Sequence, residues 1–303
     1  MNRKKLRIKS PYDGIELVGT VYEPKDTPKG IIHIVHGMGE YSIRYQTMMQ
    51  YFAERGYVVA AHDQRGHGET SKTIEDRGWF NDKKAVAVVD DAVAFTKELK
   101  RLYPNLPVYL FGHSMGSMVV RCYIQNHDTE IEKLIVCGSP SSNPLAGVAV
   151  WIARILGLVK GDRYRSKRLA YISTGKGNER FASEGRGAWL CRDRENIEAY
   201  FQDPYCGFIF TANGFENLFR LMKNTYTKKL YKTQKPNLPI HFISGSEDPV
   251  LVSEEKWLKA HEFLREVGYT NVSGKLYHGL RHEVHNEPEK EMVFEDLLKF
   301  IEE

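Results

Sequence analysis

Cysteine is scarce in this chain, with four in 303 residues: Cys122, Cys137, Cys191 and Cys206. They stand far apart, with neither the paired spacing of a zinc site nor that of a disulfide framework, so they read as free thiols of a reducing compartment. Long apolar runs are missing too, which leaves no segment of the length a bilayer-spanning helix needs. Behind the basic start Met1–Ser10 there is no apolar stretch, so no signal or transit peptide is read there and a cytoplasmic location is expected. One-sided charge is absent as well: a formal net charge of +4 is too small to point to nucleic acid, and no nucleic-acid partner is expected. Internal repeats and low-complexity tracts are also lacking, which excludes solenoids and long disordered segments.

What is present is an alternation of strand and helix signals. Leu6–Ile8 and Ile15–Tyr22, separated by Pro11–Gly14, read as an antiparallel pair. Ile31–Val35, Tyr57–Ala61, Val108–Phe111 and Leu134–Cys137 read as buried strands. Helical patterns at Tyr45–Glu54, Ala85–Tyr103 and Ser117–Ile124 lie between them. Such repetition predicts an α/β fold with a mostly parallel central sheet and right-handed crossovers. The rhythm breaks after Ser139 and resumes with a helix over Phe215–Leu230, the strands Ile240–Ile243 and Ser273–Tyr277, and helices around Trp257–Val267 and from Pro288. The expected organisation is therefore a core formed by residues 1–140 and 214–303, with a helical insertion at 141–213.

That insertion carries 11 Lys and Arg against 7 Asp and Glu, which is the whole formal excess of the chain. The ordinary reading of those charges is a solvated surface. Within it, Leu145–Val159 is apolar on nearly every face and is broken only by Arg154. It is too short to span a bilayer, and a helix apolar all round is expected to be buried, as core or as the underside of a lid. Lining an acyl channel or touching a lipid surface are the alternatives, and Trp151 and Ile155 are the candidate substrate contacts.

The richest stretch is Val108–Tyr109–Leu110–Phe111–Gly112–His113–Ser114–Met115–Gly116. An apolar strand runs into Gly-x-Ser-x-Gly and then into a helix, an order that holds a serine on a sharp turn with its hydroxyl exposed. Gly112 and Gly116 would face each other across that turn, where a side chain on either would clash. A serine hydroxyl needs a base to take its proton, and the base needs an acid to orient it.

On such a sheet the acid follows the serine in the chain and the base comes last. The strand Ile240–Ile243 leads to Glu247 and Asp248. Asp248, held extended by Pro249, is the better placed acid, with Glu247 the alternative. The strand Ser273–Tyr277 leads to His278, His282 and His285, of which His282 lies deepest in the loop and is the candidate base. His278 and His282 have a metal-type spacing, but Gly279 argues against a helix and no third ligand is evident. No metal and no cofactor is expected. For the oxyanion, the donors expected are the amides of Met115, just after the serine, and Met38, in the glycine-bearing loop His36–Gly37–Met38–Gly39. His36 and His113 are expected to hydrogen-bond loop backbone rather than to act in the reaction.

Together these motifs resemble the α/β-hydrolase fold, and within it the monoacylglycerol lipase and lysophospholipase group. The resemblance covers nearly the full length: His36–Tyr45 is similar to that group's His-Gly-x-Gly-Glu-His-Ser-x-Arg-Tyr, and Asp63–Gly68 to its Asp-x-Arg-Gly-His-Gly. Gly112–Gly116 matches its Gly-His-Ser-Met-Gly, Arg281–Glu287 its Arg-His-Glu-x-x-x-Glu, and Asp203–Pro204 a motif at the end of its cap. Ser117 and Tyr41 depart from it, standing where the group has Gly and often His. The resemblance implies a serine hydrolase of carboxylic esters, with Ser114 as nucleophile, Asp248 as acid, His282 as base, and a mobile cap at 141–213 over an acyl pocket. It implies a lipidic acyl ester, monoacylglycerol or lysophospholipid, as substrate, and it leaves open a transient membrane or micelle contact through the cap. A small-molecule carboxylesterase or thioesterase on the same three residues, and more remotely a non-catalytic binding protein, are the alternative readings. Oligomeric state is not legible.

Overall fold

The computed structural model describes the backbone of residues 1–303 and the side chains of all but Gly175 and Lys176. β1 (Asn2–Lys9) and β2 (Glu16–Glu23) form the antiparallel pair expected at the start of the chain. β3 (Gly30–Val35), β4 (Tyr57–His62), β5 (Val108–His113), β6 (Lys133–Cys137), β7 (Ile240–Gly245) and β8 (Val272–Tyr277) are parallel, and β2 joins them antiparallel to β4. The order β1-β2-β4-β3-β5-β6-β7-β8 makes one eight-stranded sheet, the mostly parallel sheet of the α/β-hydrolase fold.

Alternation along the strands divides the core in two. Ile31 and Val35, Val58 and Ala60, Leu134 and Val136 face one layer, where α2 (Ala87–Leu102), α3 (Met115–His127) and α9 (Glu254–Glu266) pack. Ile32 and Ile34, Val59 and Ala61, Ile135 and Cys137 face the other, against α1 (Gln46–Glu54) and α10 (Lys290–Glu302). Helices on both faces explain why the inner parallel strands β3 to β7 read as largely apolar runs, whereas the edge strand β8 carries the exposed Ser273, Gly274 and Lys275.

From β3 the chain turns one way to β4 and later the other way to β5. The loops after β3 and β5 therefore diverge at their carboxyl ends and leave a crevice between them, the place where open α/β sheets bind ligands.

Residues 138–239 join β6 to β7 and hold α4 (Ala146–Lys160), the single turns α5 (Lys167–Ala170) and α6 (Lys176–Glu179), α7 (Arg194–Gln202) and α8 (Ala212–Thr225). The expected Phe215–Leu230 helix thus begins three residues earlier and ends at Thr225, with a separate turn at Lys228–Leu230. Asp193 and Thr211 cap α7 and α8 by accepting the amides of Asn196 and Gly214.

The apolar segment at the start of this region is not buried as expected. In α4 Ala146, Val150, Ala153 and Gly157 are buried and Ala149 and Leu156 partly so, while Val148, Trp151, Ile152, Ile155, Leu158 and Val159, with Leu145 just before the helix, are exposed. α4 lies close on α8, and a Cβ on Gly157 would stand 3.7 Å from that of Ala212. The face turned to α8 is made of Ala146, Val150, Ala153 and Gly157, while Val148 and Ile152 face the cavity described below and the other large side chains face outward. No described helix is long and apolar enough to cross a membrane.

Candidate active site

Ser114 sits between the end of β5 and the first residue of α3 with φ 53° and ψ −116°. A non-glycine residue holds such a conformation only when its surroundings impose it. Its amide donates to Cys137 O at 2.9 Å on the neighbouring strand, and Ser117 N–H donates to Ser114 O at 3.0 Å. The glycines fit as the sequence implies: a Cβ on Gly112 would come within 2.5 Å of Gly116 O, and one on Gly116 within 2.5 Å of His36 O. Ser117, the departure next to the motif, is buried and its Oγ donates to Ser114 O at 2.5 Å, adding a second hold on the turn.

The loop after β3 packs directly on the serine, since a Cβ on Gly37 would be 3.2 Å from Ser114 Cβ. Glu40 fixes that loop from below. Its Oε1 accepts Gly37 N–H at 2.5 Å and Tyr45 OH at 2.8 Å, and lies 3.3 Å from His113 Nδ1. Burial alone would push the Glu40 carboxyl up, but hydrogen bonding and charge from His113, with Arg44 nearby, outweigh it and hold the group well below the usual carboxylate range. His36 takes the expected backbone role: Gln64 N–H donates to its Nε2 at 2.9 Å while Nδ1 faces Gly37 O at 2.8 Å. Gly39 N–H donates to His67 Nε2 at 3.3 Å, and the amide of Met38 between them has no acceptor among the described residues. Met115 is the first residue of α3, so its amide is also free of intrahelical bonding. Both methionines line the same cavity as Ser114.

Of the two acids after β7, Asp248 turns inward and Glu247 does not. Asp248 is buried, and its Oδ1 accepts Val250 N–H at 2.9 Å. Its Oδ2 accepts Ser244 Oγ–H at 2.9 Å and His282 Nδ1–H at 2.9 Å. Glu247 is half-buried, with Oε2 3.9 Å from Arg281 Nε. Burial pushes the Asp248 carboxyl up, but the neighbouring His282 and the donated hydrogen bonds more than compensate and leave its pKa lowered. For His282, burial pulls the pKa down and the charge and hydrogen bond of Asp248 more than offset it, so its pKa stands above the ordinary imidazole value. With Nδ1 committed to Asp248, the ring's remaining nitrogen is Nε2, and His282 lines the cavity that Ser114 lines. His278 is exposed, and nothing brings it into this arrangement.

His113, Cys137 and His285 form a buried trio whose ligand atoms all lie within 4.8 Å of one another. They do not make a ready metal site, because both His113 nitrogens are engaged, with Glu40 Oε1 and with His282 O. Burial also pushes the Cys137 thiol well up, away from the thiolate a metal requires.

The cavity holds about 930 Å³. It is lined by Ser114, Met38, Met115 and His282, and by the apolar side chains Met118, Val148, Ala149, Ile152, Leu218, Phe219 and Met222, a wall from α3, α4 and α8. Trp151 and Ile155 are not part of this wall. They are 62% and 53% exposed on the outer side of α4, and Val148, Ala149 and Ile152 take the place expected for them.

Three features escaped the sequence reading. Arg44 forms a buried ion pair with Glu283, beside the candidate base, and its Nη1 donates to Asn196 Oδ1 at 2.6 Å on α7. Tyr41, the other departure, donates its hydroxyl to Asp203 Oδ2 at 2.9 Å. Trp189 lays its ring against His282 at 5.0 Å and 32°. Glu40, Arg44 and Glu283 stand inside the recognised motifs, which was the available signal. Trp189 had none.

The chain is similar to known proteins along most of its length. The family model described as serine aminopeptidase, S33, matches residues 26–289. Over 299 residues the chain is 26% identical to the monoacylglycerol lipase of Mycolicibacterium smegmatis, covering 95% of this chain and 93% of that one. It is 25% identical to the monoglyceride lipase of Rattus norvegicus over 91% of this chain and 82% of that one. Among solved structures it resembles a highly thermostable carboxyl esterase from Bacillus coagulans, bound to glycerol, with a TM-score of 0.90 and 29% identity over 100% of this chain and 98% of the other.

Proposed function

This chain belongs to the serine aminopeptidase S33 family of α/β hydrolases, and from that premise we propose that it is a carboxylic ester hydrolase acting on lipidic acyl esters through an acyl-enzyme. One observation carries the reading. The buried Asp248–His282 hydrogen bond of 2.9 Å and the strained Ser114 meet one cavity of about 930 Å³ with an apolar wall.

Ser114 Oγ attacks the ester carbonyl while His282 Nε2 takes its proton. Asp248 keeps the proton of Nδ1 in place and stabilises the imidazolium that forms. The carbonyl oxygen gains negative charge between the free amides of Met38 and Met115, each donor of this kind being worth about 2.7–4 kcal/mol in the transition state. The imidazolium then protonates the leaving alcohol. Water enters, gives a proton to His282 Nε2 as its oxygen attacks the acyl carbon, and the imidazolium returns that proton to Ser114 Oγ as the bond to the acid breaks.

The apolar wall of α3, α4 and α8 suits an acyl chain, and relatives named monoacylglycerol lipase match nearly end to end, so we read the substrate as a monoacylglycerol or lysophospholipid. We read residues 141–213 as the cap over this pocket, with the exposed apolar side of α4 as its contact with a membrane or micelle. The likeness to a carboxyl esterase favours a second reading, a preference for short soluble esters. Replacement of Ser114 by Ala, assayed on a series of glycerol and aryl esters of increasing acyl length, tests both. Loss of all hydrolysis with wild-type preference for long chains supports the lipase reading. Full activity in the Ser114→Ala chain removes Ser114 from the mechanism, and a steep preference for acetyl esters replaces the lipase with an esterase.

A further inference from the structure

The candidate base is held from two sides, and only one of them is Asp248. The other is the segment Glu184–Arg192, which runs alongside the base-bearing loop Arg281–Glu287. Arg281 donates Nη1–H to Ala188 O at 2.6 Å, His282 donates its amide to Trp189 O at 3.4 Å, and Glu283 donates its amide to Leu190 O at 2.7 Å. At the two ends, Arg281 Nη2 meets both oxygens of Glu184 at 2.7 and 2.8 Å, and Arg192 N–H donates to Glu287 Oε2 at 2.9 Å. The positive φ of Gly185 and Gly187, 99° and 78°, turns the chain into this alignment.

Trp189 is thereby fixed at its backbone, and its ring reaches the imidazole of His282, 5.0 Å away at 32°. The other neighbours of that imidazole are rigid: the ring of His113 at 4.6 Å and the bare backbone of Gly138, where a Cβ would lie 3.1 Å from His282 Cε1. A hydrogen bond at Nδ1 alone holds one edge of the ring and leaves it free to tilt. A flat indole against it removes that freedom and also keeps water off it.

We propose that Trp189 is a positioning residue for His282: its indole holds the imidazole so that Nε2 stays turned to the cavity that Ser114 lines, and its π-face stabilises the imidazolium that exists while the proton of Ser114 is in transit. This rests on the proposed roles of Ser114 and His282. The stabilisation is selective for the transition state because the neutral ring of the resting enzyme gains little from an aromatic quadrupole, whereas the cation gains from it, and indole is the strongest such face.

The test uses the full chain with Trp189→Phe and Trp189→Leu, and p-nitrophenyl acetate, whose acetyl group does not need the apolar wall. Trp189→Leu is expected to lower kcat by about tenfold with KM within about twofold, and to slow labelling by a fluorophosphonate equally. Trp189→Phe, which restores an aromatic face, is expected to recover to within about threefold of wild type. If Trp189→Leu does not fold, Trp189→Met supplies the non-aromatic replacement. A wild-type kcat in the non-aromatic variant, a loss confined to KM, or a Trp189→Phe chain as slow as Trp189→Leu would each overturn the proposal. Ser114→Ala in the same assay separates the two readings: its retained activity would refute the nucleophile assignment whatever Trp189 does.

Discussion

Asp248 Oδ2 and His282 Nδ1 lie 2.9 Å apart with both residues buried, and the pair moves each partner's titration in opposite directions. His282 must be neutral to accept a proton. Because its pKa is raised above the ordinary 6.5, the acid limb of kcat/KM is expected to have its midpoint above that pH, with activity falling as pH falls through it. In Asp248→Asn burial is opposed only by the weaker charges of Glu283 and Glu40, so the limb should move to lower pH even as kcat drops by roughly a thousandfold or more. A pH profile of both chains checks this, and an unmoved limb in Asp248→Asn would show that another group sets it. The sign for stability differs. The raised pKa of His282 contributes stability below the unfolded value that is lost as pH rises through the folded one. The lowered pKa of Asp248 contributes above its unfolded value and is lost as pH falls through the folded one.

Two glycines make a matched stability test. A Cβ on Gly116 meets carbonyl oxygens of Val35 and His36, backbone of a central strand and its exit that cannot move aside. Gly116→Ala is expected to cost more than about 2 kcal/mol and to abolish activity. Gly147, on α4, has nothing within 4 Å of its Cβ position, and Gly147→Ala is expected to stabilise by roughly 0.5–1 kcal/mol. Guanidinium denaturation of both variants decides it; equal midpoints would refute the steric account of the elbow.

What could be read in advance follows from how local the cause is. The inner parallel strands were legible because burial on both faces leaves largely apolar runs. β5 was read two residues short, since Gly112 and His113 are poor strand formers and are held in the sheet by pairing with Val136 and Cys137. α2 was read from Ala85, whose φ of 55° is not helical; the helix is started by Asp82, whose Oδ2 accepts the amides of Val86 at 2.7 Å and Ala87 at 3.0 Å. Ser114, Asp248 and His282 could be proposed because their order along an α/β chain is constrained; Ser114 and His282 line one cavity, and Asp248 lies behind it on His282 Nδ1. Trp189 and Arg44 act through partners about 93 and 239 positions away, and no local pattern reports such pairings. α4 was misread because total apolarity hides which face packs. The spacing of its less bulky residues, Ala146, Ala153 and Gly157 with Val150 between them, carried that information.

The Arg44–Glu283 pair offers a double-variant cycle. Both side chains are nearly buried, at 8% and 3% exposure, and Arg44 also lies 3.8 Å from Glu40 Oε2. Removing the cation alone strands two buried carboxylates, so Arg44→Met is expected to destabilise by about 3–5 kcal/mol. The double variant Arg44→Met, Glu283→Met should recover part of that loss, because only Glu40 is then left without Arg44. Urea denaturation of wild type, Arg44→Met, Glu283→Met and the double variant measures the coupling. Additive losses would mean that the pair is not energetically linked.

The outer face of α4 makes the last prediction. Trp151, Leu158 and Val159 are 62%, 74% and 71% exposed, on a helix whose only charged residues are Arg154 and the terminal Lys160. Full burial of such side chains is worth about 1.5–3 kcal/mol each, so a lipid surface that covers them partly should gain roughly 2–4 kcal/mol in total. Replacing all three by Ser is expected to reduce co-sedimentation with phosphatidylcholine vesicles by at least about tenfold. Hydrolysis of p-nitrophenyl acetate should stay unchanged, because none of the three lines the cavity. Trp151 also reports directly, since its fluorescence should shift to the blue when wild-type protein meets vesicles and not when it meets buffer. Equal sedimentation of wild type and triple variant would mean that this face is not the one that meets lipid, and a fall in acetate hydrolysis would mean that α4 supports the pocket rather than the surface.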